Sequence, residues 1–352
     1  MIIIDGSFGE GGGQILRTSI ALSSLLLKPV KVINIRAKRK PPGLKRQHMT
    51  AIKVLATLTN AEVKGLELGS MTIEFIPKVR RGGHFSFDIG TAGSISLVLQ
   101  AALPVMLYAS TSVSLTIRGG TDVPWSPPID YVRNVLVPLL NEMGAKVNIR
   151  VERRGHYPRG GGIVHILVEP VKKLRSLRKL SRGSVLAIYG ISHAVKLSSH
   201  VAIRQAKAAT SVLERHGYRN VKIETEYYEK GKDPHLGPGS GIVLWAKTEK
   251  SILGADALGA RGKPAEKVGE EAALKLIDDL STNAALDAHM SDMIIPFLAV
   301  AEGISEITGA RLTMHAYTNI EVVRKFINTE VYLEGKLNSP FKFRIRGIGL
   351  TP

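Results

Sequence analysis

Residues 9–17 read GEGGGQILR: four glycines around a single acid, running straight into an apolar stretch with Arg17 one turn in. A glycine-rich loop that opens a helix presents backbone N–H groups to an anion. This loop matches neither common phosphate fingerprint. Gly6 and Gly11 have the gap of a P-loop, but no Lys-Ser/Thr pair follows. A dinucleotide-binding turn needs an acid about twenty residues further on, where Leu25–Leu27 stand instead. Glu10 repels an anion unless a cation sits between them, and Mg²⁺ binds through one or two carboxylates plus phosphate oxygens. Glu10 therefore reads either as a metal ligand beside a nucleotide or as an acid capping the helix start, and the loop alone does not separate the two.

Four further clusters carry chemistry. RAKRKPPGLKRQH (36–48) has six Lys or Arg in its first eleven residues. Arg36, Arg39 and Arg46 favour bidentate contact with phosphate. Pro41 and Pro42 stop the next helix from extending backwards, which puts Arg36 and Arg39 near the end of a strand. GTAGS (90–94) offers a second set of amides at a helix start, or simply a tight turn that needs glycine. In LDAHMSDMIIPF (286–297), Asp287 and Asp292 bracket His289, and a helix would put His289 and Asp292 on one face. In MHAYTNIEVVRKF (314–326), Thr318 or Asn319 caps a helix. That leaves His315 in a loop at a strand's C-terminal end, where α/β folds place ligands.

The elements that must position these residues repeat. Strand IIID (2–5), a helix from about 12 to 27, strand KVINIRA (31–37), a helix from about 44 to 59, and strands at 62–68 and 71–77 make βαβαββ. The stretch from 84 to 169 has the same order. A third copy, incomplete on its N-terminal side, has a helix over 287–302, strand ARLTMH (310–315), a helix over 318–326 and two final strands. A basic linker, KKLRSLRKLSRG (172–183), precedes a stretch with strands and helices of its own. The expected organisation is a large domain of residues 1–184 plus 278–352, with an inserted smaller domain at 185–277. The class is α/β, in an α+β arrangement of repeated units.

The chain has 352 residues, a net charge of +18 from 48 Lys plus Arg against 30 Asp plus Glu, and no cysteine. Disulfides, cysteine-ligated metals and thiol nucleophiles are excluded. The basic excess, clustered as it is, points to a polyanion, nucleic acid first. The N-terminus lacks a cationic n-region and no apolar run is long enough to span a bilayer, so a cytoplasmic protein with no membrane partner is expected.

Together the segments resemble the RNA 3′-terminal phosphate cyclase family. DGSFGEGGGQILR (5–17), PPGLKRQH (41–48), RGGHFSFDIGTAGS (81–94), GGTDVPWSPP (119–128), YPRGGG (157–162), GPGSG (237–241) and HAYTNIEVV (315–323) carry the likeness in order, end to end. The resemblance implies an enolpyruvyl-transferase-like architecture. It also implies conversion of an RNA 3′-phosphate to a 2′,3′-cyclic phosphodiester, with ATP as co-substrate and Mg or Mn as the divalent cation. His315 would be the nucleophile that accepts AMP, Glu10 the metal ligand, and Arg17, Arg39 and Asp292 further catalytic groups. ATP would contact Gly11, Gly12, Gln14, Gln47, Pro127, His289 and Asp292. Adenine would lie between Pro127 and His289, which stands where relatives have a tyrosine. Phosphates of ATP or RNA would contact Arg17, Arg36, Arg39 and Arg46. The leading alternative is a catalytically silent relative acting in ribosome assembly, which would lack the nucleophile.

Overall fold

The computed structural model describes residues 1–229 and 231–352. Among these, sixteen strands form four four-stranded sheets. The first unit runs β1 (Ile2–Asp5), α1 (Gly13–Leu26), β2 (Val30–Ile33), α2 (Arg46–Thr59), β3 (Glu62–Lys64) and β4 (Ile73–Ile76). Its sheet has the order β1-β2-β4-β3, with β1 parallel to β2 and the other pairs antiparallel. The second unit has β5 (Gly83–Asp88), α3 (Ile95–Met106) and β6 (Val113–Gly119). A segmented helix follows: α4 (Ile129–Tyr131), a π-helical turn (Val132–Leu136) and α5 (Val137–Glu142). Strands β7 (Lys146–Arg153) and β8 (Gly162–Glu169) close the unit, whose order β5-β6-β8-β7 and strand directions repeat the first.

The third unit differs from the sequence reading. Its first strand exists: β9 (Arg178–Lys179) lies inside the stretch read as a basic linker. The chain then leaves for the fourth sheet, built from β10 (Val185–Val195), α6 (His200–Arg215), β11 (Val221–Tyr227), β12 (Gly239–Thr248), β13 (Ile252–Leu258) and α7 (Ala265–Ser281). It returns through α8 (Ala288–Met293), α9 (Ile295–Val300), β14 (Glu302–Gly309), α10 (Met314–Phe326), β15 (Val331–Gly335) and β16 (Phe341–Ile348). The order β9-β14-β16-β15, with β9 parallel to β14, is the pattern of the first two units. The third copy is therefore complete, and the fourth sheet interrupts it after its first strand. The strand expected at 310–315 is instead β14 at 302–309, because Thr313 turns the chain into a helix: its side chain accepts from Ala316 N.

α1 lies at the centre. Gln14 through Leu25 are all buried, as expected of a helix that packs on every side, and it packs against α2, α3 and α10 from all three units. It ends at Leu27 in the left-handed region, with Pro29 following to prevent continuation. A second hydrophobic cluster, including Ile188, Leu213, Leu244, Leu253 and Leu276, fills the space between the fourth sheet and helices α6 and α7. The fourth sheet meets the second unit closely: a Cβ on Gly254 in β13 would lie 2.6 Å from a methyl of Val135 and 2.8 Å from the Tyr131 ring. Among the described residues no helix is long and apolar enough to cross a membrane.

Candidate functional site

The opening loop is bent by glycine. Gly9 and Gly11 have φ of 63° and 58°, and a Cβ on Gly11 would stand 2.8 Å from Cδ of Lys38. Helix α1 then starts with Gly12 as N-cap. Among the described residues no side chain caps it and no acid stands in its first turn. The helices that start nearby are closed by side chains in three cases: Ser94 caps α3, Asp287 caps α8 and Thr313 caps α10. The start of α1 thus keeps its amides and the positive end of its dipole for an external anion. Glu10 is not a cap, and its carboxylate turns elsewhere.

It turns to His315. The imidazole Nε2 lies 2.8 Å from Oε2 of Glu10, and Nδ1 lies 3.7 Å from Oδ2 of Asp292. His315 stands in the first turn of α10, not in the loop expected before it, since Thr313 rather than Thr318 or Asn319 is the cap. Asn319 instead ties three elements together. Its Oδ1 accepts from Gln14 Nε2 at 3.0 Å and Thr18 Oγ1 at 2.6 Å on α1, and its Nδ2 donates to the Asp292 carbonyl on α8 at 2.8 Å. This knot holds the starts of α1 and α10 together, so residues 305 positions apart meet. Asp292 first, and Glu10 after it, hold the His315 pKa above its ordinary 6.5 against the opposing effect of burial.

Arg17 is 8% exposed, and its Nη2 donates to Gln14 Oε1 at 2.7 Å. Burial lowers its pKa to about 10 while Asp292 opposes the shift, so it remains a cation at neutral pH. Gln14, Arg17, Pro127, His289, Asp292 and His315 all line one cavity of about 240 Å³. Within α8, Asp287 sets the His289 backbone, since Oδ1 accepts from His289 N and Met290 N at 2.9 Å. The His289 side chain is half exposed, with its ring edge-on to Tyr131.

The basic cluster divides. Arg39 is half exposed, and its Nη2 lies 3.4 Å from Glu10 and beside Gly12, at the start of α1. Arg46, exposed at the start of α2, reaches the edge of Gly90. Arg36 departs from the expected phosphate role. It is 6% exposed, and its Nη1 donates to the carbonyls of Pro41 and Gly43, each at 2.9 Å. Its φ of 53°, in a turn beyond β2, aims it inward, where it shapes the Pro-Pro-Gly loop. Gln47 also faces protein: its Oε1 accepts from Ser94 N at 3.1 Å, linking the first unit to the second. His48 beside them is neutral, with burial, then Arg17, Arg36 and Lys45, pushing it down to about 3. In the GTAGS loop the Gly90, Gly93 and Ser94 amides donate to Asp88, Thr91 and Gln47.

Trp125, from the GGTDVPWSPP segment, also lines the cavity, as do two residues with no signal in the sequence, Asp256 and Lys275 from the fourth sheet and its helix. Trp125 is 98% exposed with φ of 64°, at the cavity rim. Lys275 donates to the Asp256 carbonyl at 3.1 Å, and Asp256 Oδ1 lies 4.0 Å from His289 Nε2. The interrupting segment therefore supplies one wall of the cavity.

A family model described as RNA 3′-terminal phosphate cyclase matches residues 8–333. A protein named RNA 3′-terminal phosphate cyclase from Ignicoccus hospitalis is 61% identical over 349 residues, covering 99% of each chain. Its namesake from Hyperthermus butylicus is 57% identical over 357 residues, covering 100% of this chain and 99% of that one. Another from Methanopyrus kandleri is 50% identical over 350 residues, again covering 99% of each. Among solved structures, an EPSP synthase from Acinetobacter baumannii aligns at 11% identity and a TM-score of 0.23, covering 99% of this chain and 65% of that one.

Proposed function

This chain belongs to the RNA 3′-terminal phosphate cyclase family, and from that premise we propose that it closes RNA 3′-phosphates to 2′,3′-cyclic phosphodiesters by way of a covalent AMP on His315. The observation that carries the assignment is the His315 imidazole held between Glu10 and Asp292 beside the uncapped start of α1. Asp292 faces Nδ1 and fixes the ring, which leaves Nε2 as the attacking atom. Its proton goes to Glu10, the acceptor at 2.8 Å. The freed lone pair attacks the α-phosphorus of ATP, a phosphorus–nitrogen bond forms, and the bond to pyrophosphate breaks. Arg17, Arg39 and the α1 amides bear the phosphate charge. Pro127 and His289 bracket the adenine. A 3′-phosphate oxygen of RNA then attacks the same phosphorus and expels the imidazole. The neighbouring 2′-OH attacks the 3′-phosphorus and AMP leaves. This last step requires a 2′-OH, which restricts the substrate to RNA ends.

Glu10, an exposed carboxylate on a loop of backbone amides, has the hard oxygen chemistry that Mg²⁺ or Mn²⁺ prefers, and such an ion would neutralise charge on the ATP phosphates. In the same reading, residues 1–184 and 278–352 form the catalytic body, and 185–277 is an insertion that walls the nucleotide cavity through Asp256 and Lys275.

Two results test the Glu10–His315 arrangement. Glu10→Ala should slow adenylylation on the order of 10²- to 10³-fold while leaving the circular dichroism and melting curve unchanged. Full activity in that variant would leave Glu10 without a catalytic role. Single-turnover adenylylation should rise with pH, because the neutral imidazole is the nucleophile and its pKa lies above 6.5 in the folded protein. Asp292→Asn should move the inflection to lower pH. An inflection that stays in place would break the link between Asp292 and the imidazole.

A further inference from the structure

Away from the catalytic cavity, the seam between the second unit and the fourth sheet buries a set of groups that the cyclase reaction does not use. Asp122 follows β6, Arg154 and His156 follow β7, and His193 lies in β10. Asp122 is 1% exposed, His193 0% and His156 7%. One ligand atom from each of Asp122, His156 and His193 lies within 4.8 Å of the others.

The two oxygens of Asp122 have different surroundings. Oδ2 accepts from Thr121 Oγ1 at 2.6 Å and lies 3.4 Å from Arg154 Nη1. Oδ1 has no hydrogen-bond partner among the described residues. It faces His193 Nε2 at 3.9 Å, too far for a hydrogen bond. Neither nitrogen of His193 has a partner among these residues, nor does Nε2 of His156. Buried polar atoms are nearly always partnered, and three neighbouring side chains that each carry an orphan call for an occupant. A neutral imidazole presents one lone pair whichever tautomer it takes.

The spacing suits a metal ion. Ligand atoms bonded at 2.0–2.2 Å around a tetrahedral ion lie about 3.4 Å apart, slightly closer than the 3.9 Å between Asp122 and His193. We propose that Asp122, His156 and His193 form a structural site for a first-row transition ion of the Zn²⁺ type, which clips the inserted segment to the catalytic body. Two imidazoles and one carboxylate are borderline donors, a set suited to Zn²⁺ and unlike the oxygen donor expected to serve Mg²⁺ at Glu10.

The site also accounts for GPGSG (237–241), a motif the cyclase chemistry leaves unexplained. A Cβ on Gly239 would stand 2.0 Å from Cγ of His156, and one on Gly241 3.1 Å from Cε1 of His193. Glycine at these positions lets β12 press against both rings, whose centroids are 5.1 Å apart. Asp122 pairs with His156 as a backbone bridge, which fixes the two body ligands relative to each other.

The test uses the full chain. Metal content is measured on the isolated protein, which is then stripped with a chelator and titrated with Co²⁺, followed by visible absorption. The expected result is one equivalent of ion, either bound on isolation or taken up, with bands of an imidazole-ligated ion. These bands should persist in Glu10→Ala and vanish in His156→Phe. Zn²⁺ should raise the Tm of the stripped wild type and leave that of His156→Phe unchanged. The site is overturned by no ion on isolation and none taken up by the stripped wild type, or by bands that survive His156→Phe. Loss of the ion in Glu10→Ala would equally overturn it, by placing the metal at the catalytic loop. A stripped wild type that takes up no ion overturns the site even if a variant fails to fold.

Discussion

His315→Ala loses transfer of label from the α-phosphate of ATP to protein, with adenylylation slowed on the order of 10⁴-fold or more, the scale at which removal of a covalent nucleophile acts. The label on wild-type protein is acid-labile and alkali-stable, as a phosphoramidate requires, and an RNA ending in 3′-phosphate gains a phosphatase-resistant end. An RNA ending in 3′-OH does not. The size of the effect follows from the geometry. The imidazole has one carboxylate on each nitrogen, so its ring is both oriented and able to lose a proton at Nε2. An enolpyruvyl transferase or a plain RNA-binding module on the same fold would take no label. A silent relative would take none and would also lack the imidazole, whereas here His315 sits at the cavity with both partners in place. Label that persists in His315→Ala would move the nucleophile elsewhere and remove the role assigned to Asp292. The variant should fold normally, because His315 is partly exposed at a helix start whose cap, Thr313, is untouched.

Much of this was legible in the sequence because it is local. A loop of glycines before an apolar run announces its own backbone, and a βαβαββ order that recurs can be read without knowing how strands pair. What could not be read depends on contacts between distant residues. β9 has two residues and becomes a strand only because β14, more than a hundred positions away, lies beside it. Nothing in RK distinguishes it from a linker. The stretch 310–315 departs from the strand its pattern suggests for a different reason. Arg311 to His315 continues an alternation that suits a strand, but the Thr313 hydroxyl accepts from Ala316 N and starts a helix, and that competing bond wins. Arg36 carries the right side chain for phosphate, yet a left-handed φ aims it into its own loop. Asp256 and Lys275 reach the cavity from an insertion whose docking no pattern in those residues predicts.

That docking rests on Arg154, and Arg154→Ala is expected to be the most damaging single substitution for stability. Its side chain is 3% exposed. One Nη lies 2.6 Å from Asp130 of the body and 2.7 Å from Glu226 of the insertion, and the other lies 3.4 Å from Asp122. Burial lowers its pKa, but Asp130 and Asp122, with Glu226, outweigh burial and hold it well above its ordinary value. Removing it leaves three carboxylates at a buried seam with one partner fewer, which costs about 3–5 kcal/mol. Lys146→Ala, at an exposed pair with Glu169, should leave the melting temperature nearly unchanged. The pH dependence separates this from simple loss of packing. In the wild type, although burial opposes it, Arg154 depresses Glu226 from 4.5 to about 2. That stabilisation is full above pH 4.5 and is lost as pH falls towards 2. Without Arg154, burial is the largest remaining influence on Glu226 and raises its pKa, so the variant loses this acid sensitivity and its deficit narrows as pH falls. Calorimetric melts of both proteins at several pH values measure this directly. A deficit that is small, or that stays constant with pH, would mean the insertion is held by its apolar contact at Gly254 and Tyr131 rather than by charge. With the charge anchor lost, the wall formed by Asp256 and Lys275 loosens, and affinity for ATP should fall before the catalytic rate does.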